Sequence, residues 1–278
     1  MKLLKSLGIA GYFIGIQCLV TIIYFILRLF LDKAWLYQAF VVLSTDGPVS
    51  FTYLKLIANA CVPAMIISDI IVCIPLIIIY HKRGYKIIDS VKPIDQAGLI
   101  AVALILNLII SAVVDALPES NTSDFYNTLT SAVIGDNKIL VFLSTAIAAP
   151  ITEEIIFRLG ICGVLYRDNA RRGIFISSIL FGLAHMNVIQ SSYAFVLGLV
   201  LARLYVKNNY NIFVPVIMHI TINGSSILFE YFKIPTLVIA SLFTVFALTW
   251  IFFDKLEMVL RYTPSTTHDQ HLAANRFQ

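Results

Sequence analysis

Ala149-Pro150-Ile151-Thr152-Glu153-Glu154-Ile155-Ile156-Phe157-Arg158 places two adjacent carboxylates and a guanidinium inside a stretch that otherwise reads as membrane-spanning. From about residue 139 to 165 the chain is Leu, Ile, Val, Ala and Phe, with these three charges near its middle. A charge at the bilayer centre costs roughly 2.5–3.5 kcal/mol on insertion scales, so three on one helix need a reason. Glu154 and Arg158 stand at i, i+4 with the acid first, the better order for a helical ion pair. Glu153 is turned about 100° away on an α-helix and lacks that partner. The expectation is that Glu154 and Arg158 neutralise each other while Glu153 faces a polar cavity and does chemistry.

Composition points the same way. The chain has 278 residues, 59% hydrophobic and 13% charged, with a mean hydropathy of +0.87. Soluble domains are about 25% charged. The reading is therefore an all-α, polytopic membrane protein. The four cysteines, Cys18, Cys61, Cys73 and Cys162, all sit in apolar runs without paired spacing, and read as free core thiols. The net charge of +4 comes from loops and speaks to topology, not to nucleic acid.

Outward from the charged stretch, hydropathy predicts about eight spans. The first runs from about 8 to 31 behind Lys2 and Lys5. It is too long for a signal-peptide core and lacks a small-x-small cleavage site, so it is expected to stay as a helix. A mixed loop from 32 to 57 follows, with Asp46-Gly47-Pro48 as its turn signal. Further spans are expected at about 59–80, with Pro63, Pro75 and Asp69, and at 97–117. The charged fourth span leads to spans at 173–186, 193–206, 211–231 and 235–253. The polar patch Gln190-Ser191-Ser192 separates the fifth span from the sixth. Residues 1–253 read as a single transmembrane domain and 254–278 as a polar cytoplasmic tail.

Charge in the loops orients the spans. With Lys2 and Lys5 inside, the same side holds Lys82, Arg83, Lys86, Lys92, Arg167, Arg171, Arg172 and Lys207, ten in all. The other side holds four: Lys33, Lys55, Lys138 and Lys233. Both termini are then expected in the cytoplasm of a cell membrane, of bacterial plasma-membrane type.

Two more polar sites interrupt apolar helices: Phe181-Gly182-Leu183-Ala184-His185, and His219-Ile220-Thr221-Ile222-Asn223 with its polar side chains one turn apart. At 1.5 Å per residue from the helix ends, Glu153, His185 and His219 reach depths of roughly 20, 18 and 12 Å. They can share one intramembrane cavity with Asn223. Peptide hydrolysis there needs a base to deprotonate water and donors for the oxyanion, shielded from bulk solvent. Glu153 is suited to act as base and then acid, His185 to hold the same water, and His219 and Asn223 to donate to the oxyanion. Glu153, His185 and His219 would also suit Zn²⁺, which takes three protein ligands in catalytic sites and keeps one position open.

These motifs resemble the CPBP intramembrane proteases, also called the CAAX protease and bacteriocin-processing (Abi) family. EExxxR matches Glu153 to Arg158, FxxxH matches Phe181 to His185, and HxxxN matches His219 to Asn223, in family order. The resemblance covers about 138–232. It implies an eight-helix endopeptidase with a site open toward the cytoplasm, with Glu153 and His185 activating water and His219 and Asn223 forming the oxyanion hole. It implies a supporting role for Glu154 and Arg158.

The zinc device HExxH is missing, and Asn223 is a poor zinc ligand but a good oxyanion donor. Water activated without a required cofactor is therefore favoured, with Zn²⁺ as the alternative. Asp69 reads as structural, with Arg28 or Arg203 as its partner, and Phe181 as packing. Arg28, Asp115, Arg203 and Glu230 read as snorkelling. The sequon Asn121-Thr122-Ser123 is given no role. The expected partners are membrane lipid and a peptide or membrane-protein substrate. The competing reading is non-proteolytic: an immunity or regulatory protein on the same scaffold, or a proton-coupled transporter. A transporter predicts repeated halves with broken helices, and the sequence has no such repeat.

The charge count makes a direct test of topology. Single cysteines replacing Gly84 or Ala170, in a background without the native cysteines, should be shielded from an impermeant thiol reagent added outside. One replacing Ser123 should react. Labelling at position 170 from outside would overturn the orientation.

Overall fold

The computed structural model describes residues 1–46, 51–85, 93–115, 138–186 and 188–232. All regular structure among them is helical: α1 (Lys2–Leu31), α2 (Lys33–Asp46), α3 (Phe51–Lys82), α4 (Pro93–Asp115), α5 (Lys138–Leu165), α6 (Ala170–Ala184), α7 (Val188–Lys207) and α8 (Phe213–Phe232). Five stretches are long and apolar enough to cross a membrane: Lys2–Leu31, Cys61–Lys82, Gln96–Val113, Lys138–Leu165 and Val188–Lys207. The chain is an all-α polytopic membrane protein. α6, with 15 residues, and the apolar part of α8, Phe213–Phe229, are shorter than the roughly 20 residues that a full crossing takes. The last expected span, 235–253, the polar tail and the sequon lie outside the described residues.

Two expectations are corrected. The mixed loop at 32–57 is instead helix α2 and the first turns of α3. Its stretch 33–46 contains no glycine or proline, and Asp32 caps it by accepting the Trp35 amide at 3.0 Å. The polar patch at 190–192 does not break the chain either; it lies within α7. Ser192 turns its hydroxyl back to the Val188 carbonyl at 2.7 Å, which satisfies it inside the helix.

α5 is the most enclosed element, packed by α1, α3, α6 and α8. Its residues from Ile155 to Cys162 join Phe13 of α1, Val72 and Leu76 of α3, and Phe181 of α6 in one apolar core. Apolar side chains also face outward along α1 (Ile22, Ile26) and α3 (Ile70, Ile74), the surface expected of helices bathed in lipid. α6 and α7 form a tight hairpin. A β-carbon on Gly182 would come within 2.8 Å of the Ser191 carbonyl, and one on Gly198 within 3.1 Å of Ser178. Small residues let two helix backbones approach in this way.

Lys2, Arg83 and Arg167, which the charge count assigns to one side, gather at one end of the helices. Arg167 lies between the rings of Tyr85 and Tyr210, at 4.2 and 4.3 Å from their centroids. It also approaches the Tyr80 hydroxyl at 3.4 Å, and that hydroxyl meets Tyr205 Oη at 3.2 Å. Lys2 pairs with Asp168 at 2.5 Å, and this hydrogen bond holds the exposed carboxyl below its usual range.

Gly163 is where this end closes, because a β-carbon there would stand 2.5 Å from Tyr205 Oη. Gly163→Ala should destabilise the folded protein by about 1–3 kcal/mol, the usual cost of overpacking, measured by thermal unfolding in detergent. Gly11→Ala on α1, where nothing lies within 4 Å, serves as the neutral control. Adding Tyr205→Phe to Gly163→Ala should recover part of the loss.

Candidate active site

α5 is not a uniform α-helix. Its backbone widens into i→i+5 pairing over Phe142–Ala148 and again over Glu154–Leu165, with an α-helical turn, Ala149–Glu153, between. The Ala149 amide bonds to Ser144 O, and the Tyr166 amide to Ile161 O. Such widened turns occur mostly in functional regions. Here the carboxylates sit at the junction between the two registers.

Glu154 is fully buried and held from both sides. Arg158 Nε stands 2.9 Å from its Oε2, and His219 Nδ1 stands 3.0 Å from its Oε1. The expected pair within α5 is thus extended by a third member from α8. Arg158 is also fully buried, and its guanidinium lies over the Phe181 ring at 4.5 Å. An ion pair in such surroundings repays desolvation only with tight geometry and further polar contacts. Glu154 gains the further contact from His219, and the cation rests on the face of an aromatic ring, although the guanidinium nitrogens make no hydrogen bond among the described residues.

Glu153 diverges from Glu154, as its place on the helix requires. Its side chain keeps 19% of its surface exposed, and its Oε2 lies 3.6 Å from His219 Nε2. His219 therefore stands between the two glutamates. Glu154 takes the Nδ1 side, and the Nε2 side faces the more open carboxylate. A carboxylate that orients a histidine from behind in this way fixes its ring and tautomer.

His185 follows the last turn of α6. Its Nδ1–H donates to the Phe181 carbonyl at 2.8 Å, which leaves Nε2 as the acceptor. Both imidazoles stand edge-on to one ring: Phe181 contacts His185 at 5.0 Å and His219 at 5.6 Å between centroids. Phe157 meets the same ring at 5.4 Å. Phe181 is packing, as its burial shows, but it is also the common wall of the two histidines and Arg158. Its place four residues before a histidine was the only signal for this in the sequence.

Asn223 is drawn toward α5 by the backbone of α5 itself. With the Ala149 amide committed to Ser144 O, the next amide in the widened register would belong to Pro150, which has none. The Thr145 carbonyl is left open, and Asn223 Nδ2 fills it at 3.1 Å. One N–H of the amide remains for another acceptor.

Asp69 is 97% buried on α3, but neither expected arginine reaches it. Its Oδ1 accepts from Gln17 at a long 3.4 Å. Arg28 instead pairs with Asp32 at 3.3 Å, and Arg203 is exposed on α7. Arg28 lies on the neighbouring α1 but eleven residues from Gln17, about 16 Å along the helix. All four cysteines are free; Cys73 and Cys162 are buried, whereas Cys18 is exposed and so is not a core thiol. The side chains of Asp115 and Glu230 lie outside the described residues.

Among the described residues no three His, Cys, Asp or Glu side chains converge closely enough to hold a metal ion. As placed, Glu153, His185 and His219 do not form a three-ligand zinc set.

Breaking the central pair should expose its cost. Arg158→Ala strands Glu154 in apolar surroundings and should lower folded yield and stability by about 3–5 kcal/mol. Glu154→Gln with Arg158→Gln should recover most of the yield, scored by monodisperse protein in detergent. A double variant no better than the single would show that the pair contributes nothing.

Residues 135–225 match the family model described as Type II CAAX prenyl endopeptidase Rce1-like. A curated protein of Bacillus subtilis (strain 168), "Putative membrane peptidase YdiL", is 35% identical over 85 residues, covering 30% of this chain and 34% of that protein. The chain thus spans about a third of the length of the curated relative it matches. No solved structure matches. The matched stretch contains all three motifs, Glu153 to Arg158, Phe181 to His185 and His219 to Asn223.

Proposed function

We propose that the protein is an intramembrane endopeptidase that cleaves a peptide or membrane-protein substrate in a bacterial plasma membrane, with both termini in the cytoplasm. The observation that carries this reading is the asymmetric treatment of the two glutamates. Glu154 is neutralised and sealed between Arg158 and His219, while Glu153 keeps an accessible carboxyl 3.6 Å from His219 Nε2. A purely structural acid has no reason to stay open beside a sealed one.

In this reading Glu153 takes a proton from water, with His185 Nε2 accepting from the same water. The resulting hydroxide attacks the scissile carbonyl, and the oxyanion receives hydrogen bonds from Asn223 Nδ2 and from His219 Nε2–H, which requires the ring to carry a proton on both nitrogens, Nδ1–H being given to Glu154. Glu153 then delivers its proton to the leaving amine. Apo geometry in such sites is often loose and tightens in the complex, so a separation of 3.6 Å fits a resting site. Glu154 and Arg158 orient His219 and carry no proton. The reading needs no resident metal, and Zn²⁺ in excess would inhibit by occupying Glu153 and His219, which stand 3.6 Å apart.

The test is a cleavage assay on purified protein in lipid, with membrane-anchored and soluble candidate peptides. Glu153→Gln should abolish turnover while leaving folding intact. Asn223→Ala should lower kcat by about 10²–10³, the usual loss of an oxyanion donor. Exhaustive chelation should leave most activity. A chelated enzyme that is dead and revives with one equivalent of Zn²⁺ would overturn the metal-free mechanism. A biological activity that survives Glu153→Gln would overturn the peptidase reading in favour of a non-proteolytic binder.

A further inference from the structure

α8 carries His219 and Asn223, so its rotation about its own axis decides where both point. Its polar contacts with α5 sit on one side: His219 to Glu154 at 3.0 Å and Asn223 to the Thr145 carbonyl at 3.1 Å. On another side, two residues further along, α8 meets α4. There Asn107, 98% buried, donates from Nδ2 to Ser225 Oγ at 2.9 Å and accepts at Oδ1 from Ser226 Oγ at 2.8 Å.

Ser225 gives its own proton to the Ile222 carbonyl at 3.0 Å, so its oxygen accepts from the Asn107 amide nitrogen. Ser226 shares its one proton between Asn107 Oδ1 at 2.8 Å and the Ile222 carbonyl at 2.9 Å. Both ends of one side chain are thereby spent on two successive residues of α8. Two successive residues on a helix point about 100° apart, so gripping both resists rotation in either direction. One bond alone would allow a swing about it. One turn away, Ala103 of α4 packs in a cluster with Met218 and Ile222 of α8, which adds an apolar stop.

We propose that Asn107 is a positioning residue for the active site: a two-pronged amide on α4 that sets the rotation of α8 and so the aim of Asn223 and His219. Its effect on turnover rests on the peptidase reading, but its effect on α8 does not. Ser225 is only two residues, about 3 Å of helix rise, from Asn223. A small rotation at the clamp therefore moves the Asn223 amide by a comparable angle and withdraws it from α5.

Rotation can be read without any catalysis. A β-carbon at Gly224 would stand 3.8 Å from Ala146 Cβ, the mean separation in a disulfide. In full-length protein without its native cysteines, Gly224→Cys with Ala146→Cys should cross-link readily on mild oxidation. Adding Asn107→Leu, which keeps the branched heavy-atom skeleton and removes both hydrogen bonds, should slow cross-linking at least fivefold. Should Asn107→Leu fail to fold, Ser225→Ala with Ser226→Ala removes the same bonds from the other side and should act alike. In the native sequence Asn107→Leu should lower kcat about 10- to 50-fold with KM changed less than twofold. In an Asn223→Ala background the same change should cost under threefold, because the group it positions is gone.

Unchanged cross-linking would overturn the proposal, as would an equal loss of kcat in both backgrounds. If the wild-type protein cleaves nothing, the peptidase reading fails while the cross-linking result still decides the role of Asn107.

Discussion

The structure depends on keeping one carboxylate, Glu154, paired and sealed in the middle of an apolar bundle. One of its oxygens lies against His219 at hydrogen-bond distance and the other forms a close ion pair with Arg158, and neither it nor Arg158 has any exposed surface. Removing such charges from water costs several kcal/mol per ion, which only close and multiple contacts offset. The remaining guanidinium surface rests on Phe181. These contacts draw together α5, α6 and α8, so the charge cluster that makes α5 a poor membrane helix by itself is what assembles the helices around it.

The same interactions separate two chemically identical neighbours. Glu154 is sealed, and Glu153, one residue earlier, retains accessible surface and faces the other nitrogen of the same imidazole. His219 can hold that place only because α8 is fixed in rotation. Two groups of polar contacts do this: Asn223 to Thr145 on α5, and Ser225 with Ser226 to Asn107 on α4. Between helices in an apolar medium such bonds are worth about 0.6–2 kcal/mol each. Several along one helix define its setting better than apolar contact alone, which permits sliding.

Part of the site was written into local chemistry. Three charges in an apolar run are too costly to be incidental, and the i, i+4 spacing of Glu154 and Arg158 announces their contact at 2.9 Å. The spacing of His219 and Asn223 likewise announces a shared face. Other features left no such mark. Asn107 is an ordinary polar residue in a long helix, and its importance comes from what another helix brings to it. Asp69 shows the limit from the opposite side. Charge pairing in the sequence proposed arginines as its partners, whereas the register of α1 against α3 presents Gln17.

By itself the sequence determined that the chain is helical, that it lives in a membrane, and which three helical stretches hold its polar motifs. Composition and periodicity decide those properties because burial in lipid acts on each segment separately. Tertiary structure alone decided that Glu154 and not Glu153 meets His219 at hydrogen-bond distance, and that one phenyl ring serves both histidines. Each depends on the relative rotation and register of helices distant in the chain. That is set by many small packing and hydrogen-bond terms acting together, and no single stretch of residues contains it.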